Sequence, residues 1–252
     1  MNPSTEHALA KVPEVTLGFW IIKIAATTLG ETGGDAVSMS MNLGYLVATG
    51  IFAAVFLAAV IAQARAKAFH PLIYWATIVA TTTVGTTLAD FVDRSLGIGY
   101  AGGSSLLLVL LLSSIFAWHR TLGSVSVSTV STPKAEAFYW LTIMLSQTLG
   151  TALGDWTAGT AGLGYTGAAL VFSGLLLAVV AVYWWTDVSH TLLFWAAFIL
   201  TRPLGAVVGD FLDKPVSAGG LALDRYSASA ALLTFMLLCI VLFPQRAAKA
   251  AH

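Results

Sequence analysis

Charge is scarce in this chain. Asp, Glu, Lys and Arg make up only 10% of its 252 residues, against roughly 25% in an average soluble domain. The 12 acidic and 12 basic residues cancel, so the basic surface that nucleic-acid binding requires is missing. The same scarcity excludes a disordered chain, which needs high charge and low hydrophobicity. Cysteine is nearly absent as well. The single Cys239 lies in an apolar run from Phe235 to Phe243, which excludes a disulfide framework and a cysteine-based metal site. No Ser/His/Asp set, His-x-x-His pair or nucleotide-binding loop is visible, so an enzyme is not expected. What is abundant is apolar surface: 58% of residues are hydrophobic and the mean hydropathy is +0.84.

A membrane-crossing helix needs roughly 20 mostly apolar residues. Eight such stretches can be read, near 14–35, 43–64, 70–91, 102–119, 136–156, 165–186, 189–210 and 226–244. The expected fold class is therefore an all-α integral membrane protein with eight helices in a single transmembrane domain over 1–252. The polar start, Met1 to Lys11, is followed by Pro13 with no cleavage-like signal, so the first helix is expected to be retained. Lys11, Arg65, Lys67, Arg120, Lys134, Arg246 and Lys249 fall on one side, and Arg94, Lys214 and Arg225 on the other. Positive-inside asymmetry then places both termini in the cytoplasm.

The chain repeats itself four times. An aromatic-Trp pair recurs as Phe19-Trp20, Tyr74-Trp75, Tyr139-Trp140 and Phe194-Trp195. Ten residues after each Trp stands Gly30, Gly85, Gly150 or Gly205, and five further on Asp35, Asp90, Asp155 or Asp210. A tyrosine follows ten residues after the Asp in three units (Tyr45, Tyr100, Tyr165), and sixteen after it in the fourth, at Tyr226. The second and fourth units also share the strings Asp90-Phe91-Val92-Asp93-Arg94 and Asp210-Phe211-Leu212-Asp213-Lys214. The repeats run about 14–64, 70–119, 136–186 and 189–244, within halves of about 1–130 and 131–252. Two rounds of duplication account for the pattern. An even number of helices per unit keeps the four units parallel, so the expected symmetry axis lies along the membrane normal.

With these motifs in place, the chain resembles the bacterial membrane proteins built from four tandem copies of a repeat of unknown function, each copy carrying two transmembrane segments and a characteristic tryptophan. The resemblance spans about Val15 to Phe243. It implies the topology and the repeat architecture and says little about chemistry.

Helical periodicity puts the positions seven, eleven and fifteen residues after each Trp on one face. The deepest layer is then Thr27, Thr82, Gln147 and Arg202; the next is Glu31, Thr86, Thr151 and Ala206; the last is the aspartate ring, Asp35, Asp90, Asp155 and Asp210. A polar stripe is costly against lipid and should face a bundle interior or a water-filled path. The odd-numbered helices are thus expected to line the centre and the even-numbered ones to form the lipid-facing wall. The Gly/small pairs four residues apart read as close helix packing.

Two readings of the aspartates stay open: helix capping and a cation-attracting ring. Glu31 has no carboxylate counterpart in the other units, and Arg202 is equally exceptional in its layer. With units four and one adjacent, a Glu31–Arg202 ion pair is expected, serving function or simply neutralising charge, with Lys23 as a second possible partner. The tryptophans and tyrosines read as the two interfacial aromatic belts. His70, His119 and His190 stand at helix ends, apart from one another.

These features point to a transporter or channel for a small, hard, divalent cation such as Mn²⁺, bound by carboxylate, hydroxyl and amide oxygens. Glu31 and Asp35 are the first metal-ligand candidates. The string Glu31-Thr32-Gly33-Gly34-Asp35 is loosely similar to the Glu-x-Gly-Asp motif of a calcium/manganese transporter family. The alternative is a membrane sensor or accessory protein without transport activity. The expected partners are the bilayer and the cation, with no nucleic acid and no resident cofactor.

Overall fold

The computed structural model describes residues 11–248. Lys249 and the first ten residues, part of the expected cytoplasmic ends, lie outside the described residues. Eight α-helices are present among those described: α1 (Leu17–Asp35), α2 (Gly44–Arg65), α3 (Pro71–Asp90), α4 (Gly99–Leu122), α5 (Pro133–Asp155), α6 (Gly164–Trp185), α7 (His190–Asp213) and α8 (Arg225–Leu242). Local chemistry sets several starts. Thr16 and Thr132 accept hydrogen bonds from Phe19 N and Ala135 N, each at 3.2 Å. Pro71 and Pro133 occupy first turns, where a missing N–H costs nothing.

The helices do not stop at the repeat aspartates. After Asp35, Asp90 and Asp155 the chain widens into one π-helical turn, over Ala36–Ser40, Phe91–Ser95 and Trp156–Thr160. The three aspartates have right-handed helical dihedrals and make no side-chain cap bond, and Asp210 lies inside α7. The capping reading of the aspartates is thereby corrected. The turn that follows uses paired left-handed residues, Asn42/Gly44, Gly97/Gly99 and Gly162/Gly164, which glycine adopts at no steric cost. In the fourth unit the six extra residues fold back on the end of α7, with Leu221 N donating to Phe211 O at 2.7 Å and Leu223 N to Leu212 O at 2.9 Å.

α1, α3, α5 and α7 close into a four-membered ring in that order, since α1 packs on both α3 and α7, and α5 on the same two. Each even helix packs on the odd helix of the following repeat: α2 on α3, α4 on α5, α6 on α7, and α8 back on α1. Six helices (α2, α3, α4, α6, α7 and α8) are long and apolar enough to cross a membrane, as expected of a membrane protein. α1 and α5 are more polar than the eight-span reading assumes, because α1 carries Lys23, Glu31 and Asp35 and α5 carries Lys134, Glu136 and Asp155. Only 6% of the apolar window of α2 is buried, against 72% for α3, so the even helices form the outer wall and the odd helices the interior.

One end of the ring is shut by aromatic side chains. The first aromatic of each repeat meets the Trp of the next: Phe19–Trp75 at 5.5 Å between centroids, Tyr74–Trp140 at 5.8 Å, Tyr139–Trp195 at 6.4 Å, and Phe194–Trp20 at 5.9 Å. The belt reading of the tryptophans is therefore corrected, since Trp75, Trp140 and Trp195 are buried and face neighbouring repeats. The loops and the chain ends cover this girdle. Trp75 Nε1 donates to Gln245 Oε1 at 3.1 Å, Trp195 Nε1 to Val125 O at 3.0 Å, and Pro13 bridges antiparallel to Ala247. Tyr74 and Tyr139 share a buried O–H···O bond of 2.7 Å. Tyr74→Phe leaves the Tyr139 hydroxyl without this partner, and a loss of about 1 kcal/mol in unfolding free energy is expected in detergent. No measurable loss would mean that the hydroxyl finds another partner.

Candidate functional site

Glycine brings the interior side chains into place. A Cβ added at Gly30 would collide with Thr82, at Gly85 with the Gln147 backbone at 3.0 Å, at Gly150 with Arg202, and at Gly205 with Thr27. The same holds one turn on, where Gly34 faces Thr86 at 3.1 Å, Gly154 faces Ala206 at 3.2 Å and Gly209 faces Glu31 at 2.6 Å. Each repeat's small residues thus receive side chains of the adjoining repeat, which lets the four backbones approach. All the residues of the three expected layers are buried, and the structure brings them together inside the ring.

Arg202 ties the ring together. Its Nη2 donates to Glu31 Oε2 on α1 at 2.9 Å, to Thr86 Oγ1 on α3 at 2.6 Å and to Thr151 Oγ1 on α5 at 2.5 Å. Thr86 in turn donates to Glu31 Oε2 at 3.2 Å. One guanidinium from α7 thereby reaches all three other odd helices, and Glu31 is its carboxylate partner. Lys23 is not: its Nζ stands 4.1 Å from the centroid of the Phe198 ring. The two residues share a helix, but the roughly two turns between them keep Lys23 at the level of Phe198, away from Glu31.

The aspartates form two bridged pairs. Arg94 Nε lies 3.0 Å from Asp90 Oδ1 and its Nη2 3.0 Å from Asp155 Oδ2, joining α3 to α5. Lys214 Nζ contacts Asp35 Oδ2 and lies 3.0 Å from Asp210 Oδ1, joining α7 to α1. Burial works against the Lys214 charge, but the carboxylates of Asp210, Asp35 and Asp213 outweigh it, so its pKa lies above the ordinary lysine value. Around these pairs, Arg94 donates to Tyr100 Oη at 2.9 Å and Tyr45 Oη at 3.1 Å. Arg225 Nε donates to Asp213 Oδ2 at 2.9 Å and its Nη1 to Ser40 Oγ at 3.2 Å. In the sequence, Arg94 and Lys214 read as cations of the less basic side and as the ends of the string shared by units two and four. Their position, four residues after Asp90 and Asp210 in the shared string, is the signal of an i, i+4 pair.

One subset of carboxylates can chelate. Glu31, Asp35 and Asp210 each offer an oxygen, and the three oxygens lie within 4.8 Å of one another. Such spacing suits a single cation ligated by oxygens at 2.0–2.6 Å. Asp90 and Asp155 stand apart from this cluster, held by Arg94. The three histidines are exposed, and Met39 Sδ is 3.9 Å from Lys214 Nζ.

The family described as Repeat of Unknown Function (DUF347) matches the chain four times, over residues 18–69, 73–124, 138–189 and 193–247. No curated protein and no solved structure matches it. Each matched segment contains one odd helix and the even helix that follows it.

Proposed function

We propose that the chain, which belongs to the family described as Repeat of Unknown Function (DUF347), is an integral membrane transporter of a small, hard, divalent cation such as Mn²⁺. The observation that carries this reading is the convergence of Glu31, Asp35 and Asp210, with oxygens within 4.8 Å of one another inside a ring of helices. Carboxylate oxygens favour hard ions over soft ones. In this reading the protein lies in a bacterial inner membrane, the ring axis follows the membrane normal, the two four-helix halves are related about that axis, and both termini are cytoplasmic. Lys214 acts as a tethered cation: its ammonium neutralises Asp35 and Asp210 until an entering ion displaces it. The reaction is translocation without covalent chemistry.

A second reading is a sensor or accessory membrane protein. The cations already paired with all four ring aspartates favour it, because a purely structural lattice would be neutralised in the same way. Reconstitution separates the two. Proteoliposomes should take up Mn²⁺, Mg²⁺ or Ca²⁺, and Asp35→Asn and Glu31→Gln should each cut flux at sub-saturating ion by about tenfold, the equivalent of one charge-assisted contact. Unchanged flux in both variants would remove the site assignment. No flux of any of the three ions would leave the accessory reading.

A further inference from the structure

The Arg202–Glu31 pair leaves several polar groups in the ring unused. Arg202 Nε and Nη1, both amide atoms of Gln147, Thr82 Oγ1 and Lys23 Nζ are buried and have no hydrogen-bond partner among the described residues. The four residues are all 0% exposed. Each comes from a different odd helix: Lys23 from α1, Thr82 from α3, Gln147 from α5 and Arg202 from α7. Thr82, Gln147 and Arg202 share one layer, seven residues after their tryptophans. Lys23 stands one turn nearer the aromatic girdle, over the ring of Phe198, and Phe198 precedes Arg202 by four residues on one face of α7. Gly150, which receives the Cβ and Cγ of Arg202, follows Gln147 by one turn.

The chemistry of this set is one-sided. The ammonium, the guanidinium Nε and Nη1, the amide nitrogen and the hydroxyl are donors, while the amide oxygen is the one group that only accepts. The charge is one-sided too, because the nearest carboxylate, Glu31, stands in the next layer and is the ion-pair partner of Arg202, while Lys23 has no carboxylate partner among the described residues. A buried charge without a counter-charge is costly. Water satisfies donors but not charge, whereas an anion satisfies both through charge-assisted bonds. We infer that Lys23, Thr82, Gln147 and Arg202 form a binding site for a small, halide-sized monovalent anion, between the aromatic girdle and the Glu31–Arg202 pair. The site uses donors, not the Glu31/Asp35/Asp210 oxygens, and it stands whether or not the protein moves cations.

The test is thermal unfolding of the full chain in detergent, with chloride titrated against gluconate at constant ionic strength. A ligand that binds only the folded state raises Tm in a saturable way. A rise of about 5 °C is expected at a hundredfold excess of chloride over its Kd. In Lys23→Met and Gln147→Leu the chloride-dependent rise should vanish, whatever their baseline Tm. Should either variant fail to fold, Thr82→Val removes one donor at nearly constant shape and should shift the chloride midpoint upward about threefold. Absence of a saturable rise in the parent chain overturns the site. So does an unchanged chloride response in the folded variants, since the halide would then bind elsewhere.

Discussion

Arg202→Met is expected to lower unfolding free energy by about 3–5 kcal/mol, the cost of leaving one partner of a buried ion pair alone. Methionine keeps the Cβ and Cγ that pack against Gly150, so this contact between α5 and α7 is retained. Glu31 then sits buried without its cation, and Thr86 and Thr151 lose the donor that joins them to α7. Glu31→Gln should cost less, because Arg202 keeps both threonine contacts. Combining the two changes removes both charges and should recover part of the loss, as replacing an entire buried pair often does. A double-mutant cycle in reversible denaturant unfolding gives the coupling, expected at about 0.5–3 kcal/mol. Additive losses would show that water, and not Arg202, solvates Glu31.

Gly205→Ala is expected to destabilise by about 1–3 kcal/mol, the range for forcing extra volume into a packed core. The new Cβ would meet the side chain of Thr27 and also its backbone carbonyl carbon at 2.9 Å. Trimming Thr27 therefore cannot relieve the clash fully; α1 and α7 must separate, and the seam that holds Glu31 against Gly209 opens with them. Gly33→Ala is the control. A Cβ there meets nothing within 4 Å, and alanine is the better helix former by about 0.5–1 kcal/mol. The two substitutions on neighbouring helices should thus change Tm in opposite directions. If both are neutral, the helices are not in close contact at this seam.

Much of the interior is legible in the sequence because a repeat and a helical period constrain it together. The Trp-to-Asp spacing, read four times, places Thr27, Thr82, Gln147 and Arg202 in one layer and the aspartates in another. The one carboxylate and the one guanidinium that break the pattern, Glu31 and Arg202, stand face to face. The fate of Lys23 is not legible. Its spacing gives an angle around α1, but Phe198 of another helix decides what it meets. The tryptophans mislead for a similar reason. Trp near a helix end normally marks a membrane interface, whereas here each one packs on an aromatic of the preceding repeat.

The sequence by itself determines the four-fold repetition, the helical face that carries polar groups, and the outer wall of apolar helices. These follow from periodicity and composition, which are properties of single segments. Only the tertiary structure decides which repeat touches which. It closes α1 against α7, sets each even helix on the following repeat, and turns four aspartates into two pairs bridged by Arg94 and Lys214. The physical reason is distance: an i, i+4 spacing reports neighbours along one helix, but a charge lattice or an aromatic girdle is made across helices, where glycine contacts set how closely the backbones meet.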